Sequence, residues 1–148
     1  MLYPDSTYRS HFGVYALVLS DKKDSVLLIK KALGCYTGLY DLPGGSMEPH
    51  ETLEETLYRE VFEETGCHIK SAEQFGTFST FFPYMDNGQK TVLRHLAAIY
   101  TATIAGTPRS EGAGNDDSHG CVWIPIVDLH EKNATPIVLA PLKKYAQQ

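Results

Sequence analysis

The segment Thr52–Thr65 constrains the fold of this chain more than any other. Its apolar residues recur with helical spacing, and Thr52 followed by Glu55 forms a capping box. Gly66 follows, and glycine most readily takes the left-handed conformation at a helix end. We therefore predict a helix over Thr52–Thr65. The apolar arc expected to face the core comprises Leu53, Leu57, Tyr58, Val61 and Phe62.

Acidic residues concentrate around this predicted helix. The formal net charge is -5, yet residues 48–64 hold seven carboxylates and one base, which leaves the remaining residues near neutral. Helical geometry presses Glu60 and Glu64 against the buried side and makes Glu63 their neighbour. Three such carboxylates repel one another unless they are solvated or share a cation such as Mg²⁺. The segment is therefore a solvated face or a cation site. Its negative charge argues against a protein that binds nucleic acid through the phosphates.

The rest of the chain favours one α+β domain over residues 1–148. A chain of this length can bury about 70% of its unfolded surface without disulfide bonds or a structural metal. Strand-prone runs flank the helix, and Asp86–Gln89 predicts a hairpin turn between two of them. We interpret residues 11–20 and 25–30 as another hairpin, and 136–147 as a last helix with Pro141 near its start. These hairpins predict a mixed or antiparallel sheet.

Cysteine usage and hydropathy predict a cytoplasmic protein. The three cysteines are odd in number and widely spaced, without a CxxC pair, which favours a reducing compartment. The first ten residues lack the apolar core of a signal peptide. The longest apolar runs are too short to span a bilayer. We therefore expect no membrane segment.

A fixed spacing of glycine, arginine and glutamate surrounds the helix. Gly45 is followed after five residues by Glu51, and after seven more by the run Arg59–Cys67, REVFEETGC. This resembles the signature of the Nudix hydrolases, GX5EX7REUXEEXGU with U a bulky aliphatic residue, and all seven fixed positions match. At ~6% frequency per residue, such a match arises by chance on the order of once in a million chains. Cys67 departs from the usual aliphatic residue but packs as a small hydrophobe.

The resemblance implies a fold and an activity. Family members are α/β/α sandwiches with a mixed β-sheet, and they hydrolyse a nucleoside diphosphate linked to another moiety. The expected substrate is a small nucleotide such as a nucleoside triphosphate or an ADP-sugar, and the expected cofactor is Mg²⁺, with Mn²⁺ as the alternative. By the same resemblance, the metal ligands are Gly45, Glu60, Glu63 and Glu64.

The resemblance also suggests catalytic roles. Arg59 is expected to hold the glutamates in position, and Glu51 to orient Arg59 or bind metal through water. A general base must accept a proton from the attacking water. Two groups of candidates stay open: Glu60 and Glu63 in the helix, and Glu111, Asp116 and Asp117 downstream.

Substrate choice is left open by the sequence. Pro83 and Tyr84 stand where the family has markers for ADP-ribose hydrolases and dinucleoside polyphosphate hydrolases respectively, so the two markers do not discriminate. The alternatives are a binding module that senses a nucleotide without turnover and an RNA-end pyrophosphohydrolase. A homodimer is compatible with the resemblance. We interpret His50, His68 and His95 as ordinary loop or strand residues.

Overall fold

The computed structural model describes residues 2–110 and 118–148. Within them the chain forms strands and helices in the order expected of an α+β protein. The helices are α1 (Leu53–Thr65) and α2 (Pro136–Ala146), with a 3₁₀ turn at Ile126–Asp128. The strands are β1 (Thr7–Leu17), β2 (Ser25–Lys31), β3 (Tyr40–Asp41), β4 (Gly44–Gly45), β5 (His68–Asp86), β6 (Gln89–Ala105) and β7 (Ser118–Pro125).

The described strands form two sheets that lie between the helices. One sheet has the order β4-β1-β6-β5, with β1 parallel to β6 and antiparallel to β4. The other has the order β3-β2-β7 and is antiparallel. Leu57 of α1 joins a core cluster on one side of the sheets, and Ile137 of α2 joins a second cluster on the other. This confirms the α/β/α sandwich with a mixed β-sheet.

The first two strands depart from the predicted hairpin. An isolated antiparallel bridge joins Leu19 to Val26, but β1 then pairs along its whole length with β6 while β2 enters the other sheet. Residues 13–18 are all buried, so β1 needs cover on both faces. The two core clusters provide that cover, with Val14 and Ala16 in one and Tyr15 and Leu17 in the other, whereas a two-stranded hairpin does not.

The buried face of α1 differs from the predicted arc. Leu57 and Val61 are fully buried, but Tyr58 is 50% exposed and Phe62 is 43% exposed. Phe62 instead stacks on the ring of His68 at the surface, with the centroids 4.4 Å apart. Relative to the predicted arc, the helix is rotated about its axis, so that three polar residues also lie on its buried side. These are Thr56, Glu64 and Thr65.

One local prediction holds and one does not. Asn87 and Gly88 have φ angles of 50° and 81°, as a tight hairpin turn between β5 and β6 requires. The proline in the first turn of α2 is Pro136, because its missing N–H has no helical partner there, while Pro141 lies inside the helix.

Neither described helix is long and apolar enough to cross a membrane.

Candidate active site

The ends of α1 are fixed by hydrogen bonds that set the direction of its glutamates. The Thr52 hydroxyl accepts from the Glu55 N–H at 3.2 Å, and the Thr52 N–H donates to the Glu55 carboxylate at 2.9 Å. Gly66 closes the helix with a φ angle of 76° and donates its N–H to the Phe62 carbonyl. Both predicted caps are present.

Glu64 is a buried carboxylate on the inward side of α1. Its side chain is 2% exposed, and its Oε1 accepts the Gly44 N–H at 2.7 Å. Burial raises the pKa of Glu64 well above its usual range; the Gly44 N–H and the Lys31 charge oppose this effect, and the Glu60 charge adds to it. A buried anion is costly unless hydrogen bonds or a cation compensate it. Glu64 is therefore stable as an anion here only where hydrogen bonds or a cation offset that cost.

Strand β4 passes close to the glutamates because it consists of two glycines. At Gly44, which has a φ angle of 147°, a Cβ atom would lie 2.6 Å from the Tyr15 Cα. At Gly45 a Cβ atom would lie 3.0 Å from the carboxylate of Glu60. Any side chain at Gly45 would therefore press on Glu60. The glycines let a main-chain segment lie directly against two carboxylates of α1.

Arg59 binds three glutamates and one backbone carbonyl. Its guanidinium forms a two-pronged pair with Glu51, with Nε at 2.6 Å from Oε2 and Nη2 at 2.8 Å from Oε1. Nη1 donates to Glu60 at 2.9 Å and to Glu63 at 3.4 Å, and Nη2 donates to the Ser46 carbonyl at 3.1 Å. The hydrogen bond from Arg59 lowers the pKa of Glu51 to about 2. Arg59 thus ties the start of α1 to the loop after β4.

The structure brings part of the predicted site together. Glu60 and Glu64 meet the Gly44–Gly45 segment, whereas the Glu63 side chain is 45% exposed and lies nearer solvent. Within residues 2–110 and 118–148, no group of three or more His, Cys, Asp or Glu side chains is arranged to hold a metal ion. Three predicted candidates for the general base lie outside the described residues: Glu111, Asp116 and Asp117.

Sequence reasoning missed a buried polar group beside the site. His95 is 2% exposed, its Nε2 lies 2.8 Å from the Tyr15 hydroxyl, and its Nδ1 lies 3.0 Å from the Tyr36 hydroxyl. Burial lowers the pKa of His95 to about 4. His95 does lie in a strand, β6, as interpreted, but the sequence did not indicate its burial or its two hydrogen bonds. Only the pairing of strands brings these three residues together, so no local sequence pattern indicates them.

Two cations near α1 were also missed. Burial raises the pKa of Glu64 and lowers that of His11, and the charge of Lys31, at the end of β2, opposes the first shift and adds to the second. Arg109 lies at the other end of α1, where its guanidinium donates to the carbonyls of Phe62 and Glu63. Arg109 therefore complements the negative end of the helix dipole.

Comparison with known proteins agrees with this fold. Residues 9–144 match the model of the NUDIX domain family, and the chain therefore belongs to the Nudix hydrolase family. It is 34% identical to Nudix hydrolase 3 of Caenorhabditis elegans over 140 residues, which cover 88% of this chain and 54% of that protein. It is 51% identical to the human 8-oxo-dGDP phosphatase NUDT18 over 118 residues, which cover 80% of this chain and 33% of that protein.

A solved structure matches over nearly its whole length. The MutT NUDIX hydrolase from Burkholderia pseudomallei has a TM-score of 0.63 and 25% sequence identity, and the match covers 91% of this chain and 97% of that one. The two curated relatives are longer, and this chain spans about half of one and a third of the other. The shared region is the Nudix domain.

Proposed function

We propose that this chain is a divalent-metal-dependent pyrophosphohydrolase that cleaves a nucleoside diphosphate linked to another moiety. The observation that carries the proposal is the convergence of Glu60 and Glu64 on the Gly44–Gly45 segment. This arrangement offers carboxylate and carbonyl oxygens, the ligands that hard cations prefer. Mg²⁺ uses only one or two carboxylates and fills its remaining positions with water and substrate phosphates. The two inward glutamates fit that requirement.

The proposed metal ligands are those that the family resemblance suggests. Glu64 is buried and Glu60 lies against Gly45, while Glu63 reaches towards solvent and completes the acidic face. A bound Mg²⁺ or Mn²⁺ would lower the pKa of an attacking water and neutralise charge on the phosphates. The carboxylates of Glu60 and Glu64 and the main-chain carbonyl of Gly45 would bind the metal directly, and Glu63, the other ligand that the resemblance suggests, would bind it through a water.

The chain's own residues would position the reactants and accept a proton. In the reaction, a water oxygen bonds to one phosphorus, the anhydride P–O bond breaks, and the leaving phosphate keeps the electron pair. The water proton passes to a base, for which Glu63 is favoured among the described glutamates because its side chain is accessible. Glu60 stays an alternative, as do the downstream acids Glu111, Asp116 and Asp117. The charge of Lys31, which acts on Glu64, would add to the positive charge near the site.

The proposed substrate is a small nucleotide rather than a long RNA. The human relative is named for 8-oxo-dGDP, which supports a purine nucleoside diphosphate as one substrate to test beside nucleoside triphosphates and ADP-sugars. Outside residues 48–64 the chain has a formal charge of only +1, which offers little electrostatic attraction to an RNA backbone. A reducing cytoplasm suits the free thiols of Cys35, Cys67 and Cys121.

Turnover is expected to require a divalent cation. In EDTA the protein should release no phosphate, pyrophosphate or nucleotide, and Mg²⁺ or Mn²⁺ should restore release, because the carboxylates otherwise repel the substrate phosphates. Calorimetric titration should show that nucleotide binding also needs the metal. Undiminished turnover or binding in the chelator would contradict the proposed role of the glutamates.

A substrate panel separates the proposed function from its alternatives. It contains 8-oxo-dGDP, nucleoside triphosphates, ADP-ribose and a dinucleoside polyphosphate, and the products identify the phosphorus attacked. Metal-dependent binding of a panel nucleotide without turnover of any panel member would favour a sensing module. Binding of a 5′-triphosphate RNA that weakens steeply with salt would favour the RNA-end alternative. Size-exclusion chromatography of the same sample tests the homodimer.

A further inference from the structure

The hydrogen bonds of His95 join two segments that are distant in sequence. Tyr15 lies on β1, His95 on β6, and Tyr36 in the loop of residues 32–39 between β2 and β3. Both tyrosines are nearly buried, with 4% and 5% of their surfaces exposed. The Tyr36 ring also lies nearly parallel to the His95 ring, with the centroids 5.7 Å apart. We call these three residues the tyrosine–histidine clamp.

The two hydrogen bonds of the clamp run in opposite directions with respect to His95, because a neutral imidazole has one donor and one acceptor nitrogen. One tyrosine must therefore donate to His95 while the other accepts from it. Breaking either hydrogen bond leaves a buried polar atom without its partner, which is more costly than losing an exposed one. The clamp therefore favours one arrangement of its three side chains.

One end of the clamp reaches the glycine segment of the active site. Tyr15 pairs with Gly44 across β1 and β4, and a Cβ atom on Gly44 would lie only 2.7 Å from Cδ1 of the Tyr15 ring. The N–H of Gly44 donates to the buried carboxylate of Glu64. A shift of the Tyr15 ring would therefore displace Gly44 and change the hydrogen bond that the Gly44 N–H donates to Glu64.

The other end of the clamp holds the loop of residues 32–39. Backbone hydrogen bonds close this loop on itself, from Gly38 N–H to the Lys31 carbonyl and from Leu39 N–H to the Tyr36 carbonyl, both at 2.9 Å. Leu33 is 57% exposed, whereas Tyr36 enters the core. Tyr36 thus anchors the loop, and Lys31, whose charge acts on Glu64, lies at the base of that loop.

We propose that His95 is a positioning residue that couples the loop of residues 32–39 to the Gly44–Gly45 segment, so that the two sides of the active site are ordered as one unit. The coupling itself is a property of the fold. Its consequence for catalysis rests on the proposed function, because only then do Lys31 and Glu64 have to face one substrate.

Amide hydrogen exchange tests the coupling without substrate or metal. In Tyr36→Phe, exchange should accelerate about tenfold, as expected for the loss of one ordinary hydrogen bond, at Gly38 and Leu39 and also at the distant Gly44. In Tyr15→Phe the same three amides should accelerate. Tyr100→Phe is the matched control, since Tyr100 is also a buried tyrosine of the same sheet but its hydroxyl bonds to Gln74. It should leave all three amides unchanged.

Purely local effects would overturn the proposal. If Tyr36→Phe accelerates only Gly38 and Leu39, and Tyr15→Phe only Gly44, then His95 does not couple the two segments. A spectroscopic readout supports the exchange data: the ¹⁵N shifts of the His95 ring should show one tautomer in the parent protein and a changed tautomer balance in at least one Tyr→Phe variant. An unchanged balance in both variants would also count against the clamp.

Kinetics then test the consequence for catalysis. Each Tyr→Phe change should lower kcat/KM about tenfold, and the double change should lower it no further, because one break already uncouples the segments. Tyr100→Phe should stay at the parent value. If the kcat/KM losses of the two single variants multiply in the double variant, the two segments do not act as one unit. If the parent protein turns over no nucleotide, the proposed function fails while the exchange experiment still decides the coupling.

Discussion

Replacement of Glu64 by Gln is expected to reduce kcat/KM by a factor on the order of 1000, the effect typical of removing one charge-stabilising group from an active site. The amide has nearly the same shape and its oxygen can still accept the Gly44 N–H, but it lacks the charge that a divalent cation requires. The measurement is metal-dependent nucleotide hydrolysis in Glu64→Gln. Glu54→Gln makes the same change on an exposed position of α1 and should keep full activity.

The Glu64→Gln variant is also expected to fold. Removing a buried charge relieves a desolvation cost, so its unfolding temperature in chelator should be no lower than that of the parent protein. Added Mg²⁺ should raise the unfolding temperature of the parent protein and not that of the variant, because a ligand stabilises only the state that binds it. Full activity in folded Glu64→Gln would show that Glu64 is not a metal ligand.

Replacement of Arg59 by Met is expected to lower kcat/KM about 100-fold, in the range found for residues that orient metal ligands. Without the guanidinium, Glu51 loses its two-pronged partner, and Glu60 and Glu63 lose the cation between them. The unscreened carboxylates should repel one another and turn away from the Gly44–Gly45 segment. The measurement is the Mg²⁺ concentration required for half-maximal activity, which should rise together with the loss of turnover.

Two further variants separate positioning from phosphate binding. Arg59→Lys keeps the charge but cannot form the two-pronged pair with Glu51, so it should recover only part of the activity. Glu51→Gln leaves Arg59 in place but weakens that pair, and should lower Mg²⁺ affinity in the same direction as Arg59→Met. A raised KM for nucleotide with unchanged Mg²⁺ affinity would show instead that Arg59 contacts phosphate.

Local sequence determined the parts of the site that obey short-range physics. The capping box at Thr52 and the left-handed cap at Gly66 could be predicted because each depends on residues within one helical turn. The inward direction of Glu64 follows from its place between Leu53 and Leu57 on a helix of 3.6 residues per turn. Cys67, which stands where the family has an aliphatic residue, is buried as a small hydrophobe would be.

The extent of the buried face of α1 was less predictable. Periodicity placed Tyr58 and Phe62 with the core residues, but both are exposed. The elements that pack against a helix decide how wide its buried face is. Here the glycines of β4 lie directly against Glu60 and Glu64, so the inward side of α1 includes carboxylates.

Only the tertiary structure decided how distant segments meet. His95 is 80 residues from Tyr15 and 59 from Tyr36, and their hydrogen bonds exist because β6 pairs in parallel with β1 while β2 enters the other sheet. Strand pairing at such separations depends on the packing of the whole sheet and leaves no local pattern in the sequence. The sequence by itself therefore determined a helix with inward glutamates, and the fold decided which residues stand opposite it.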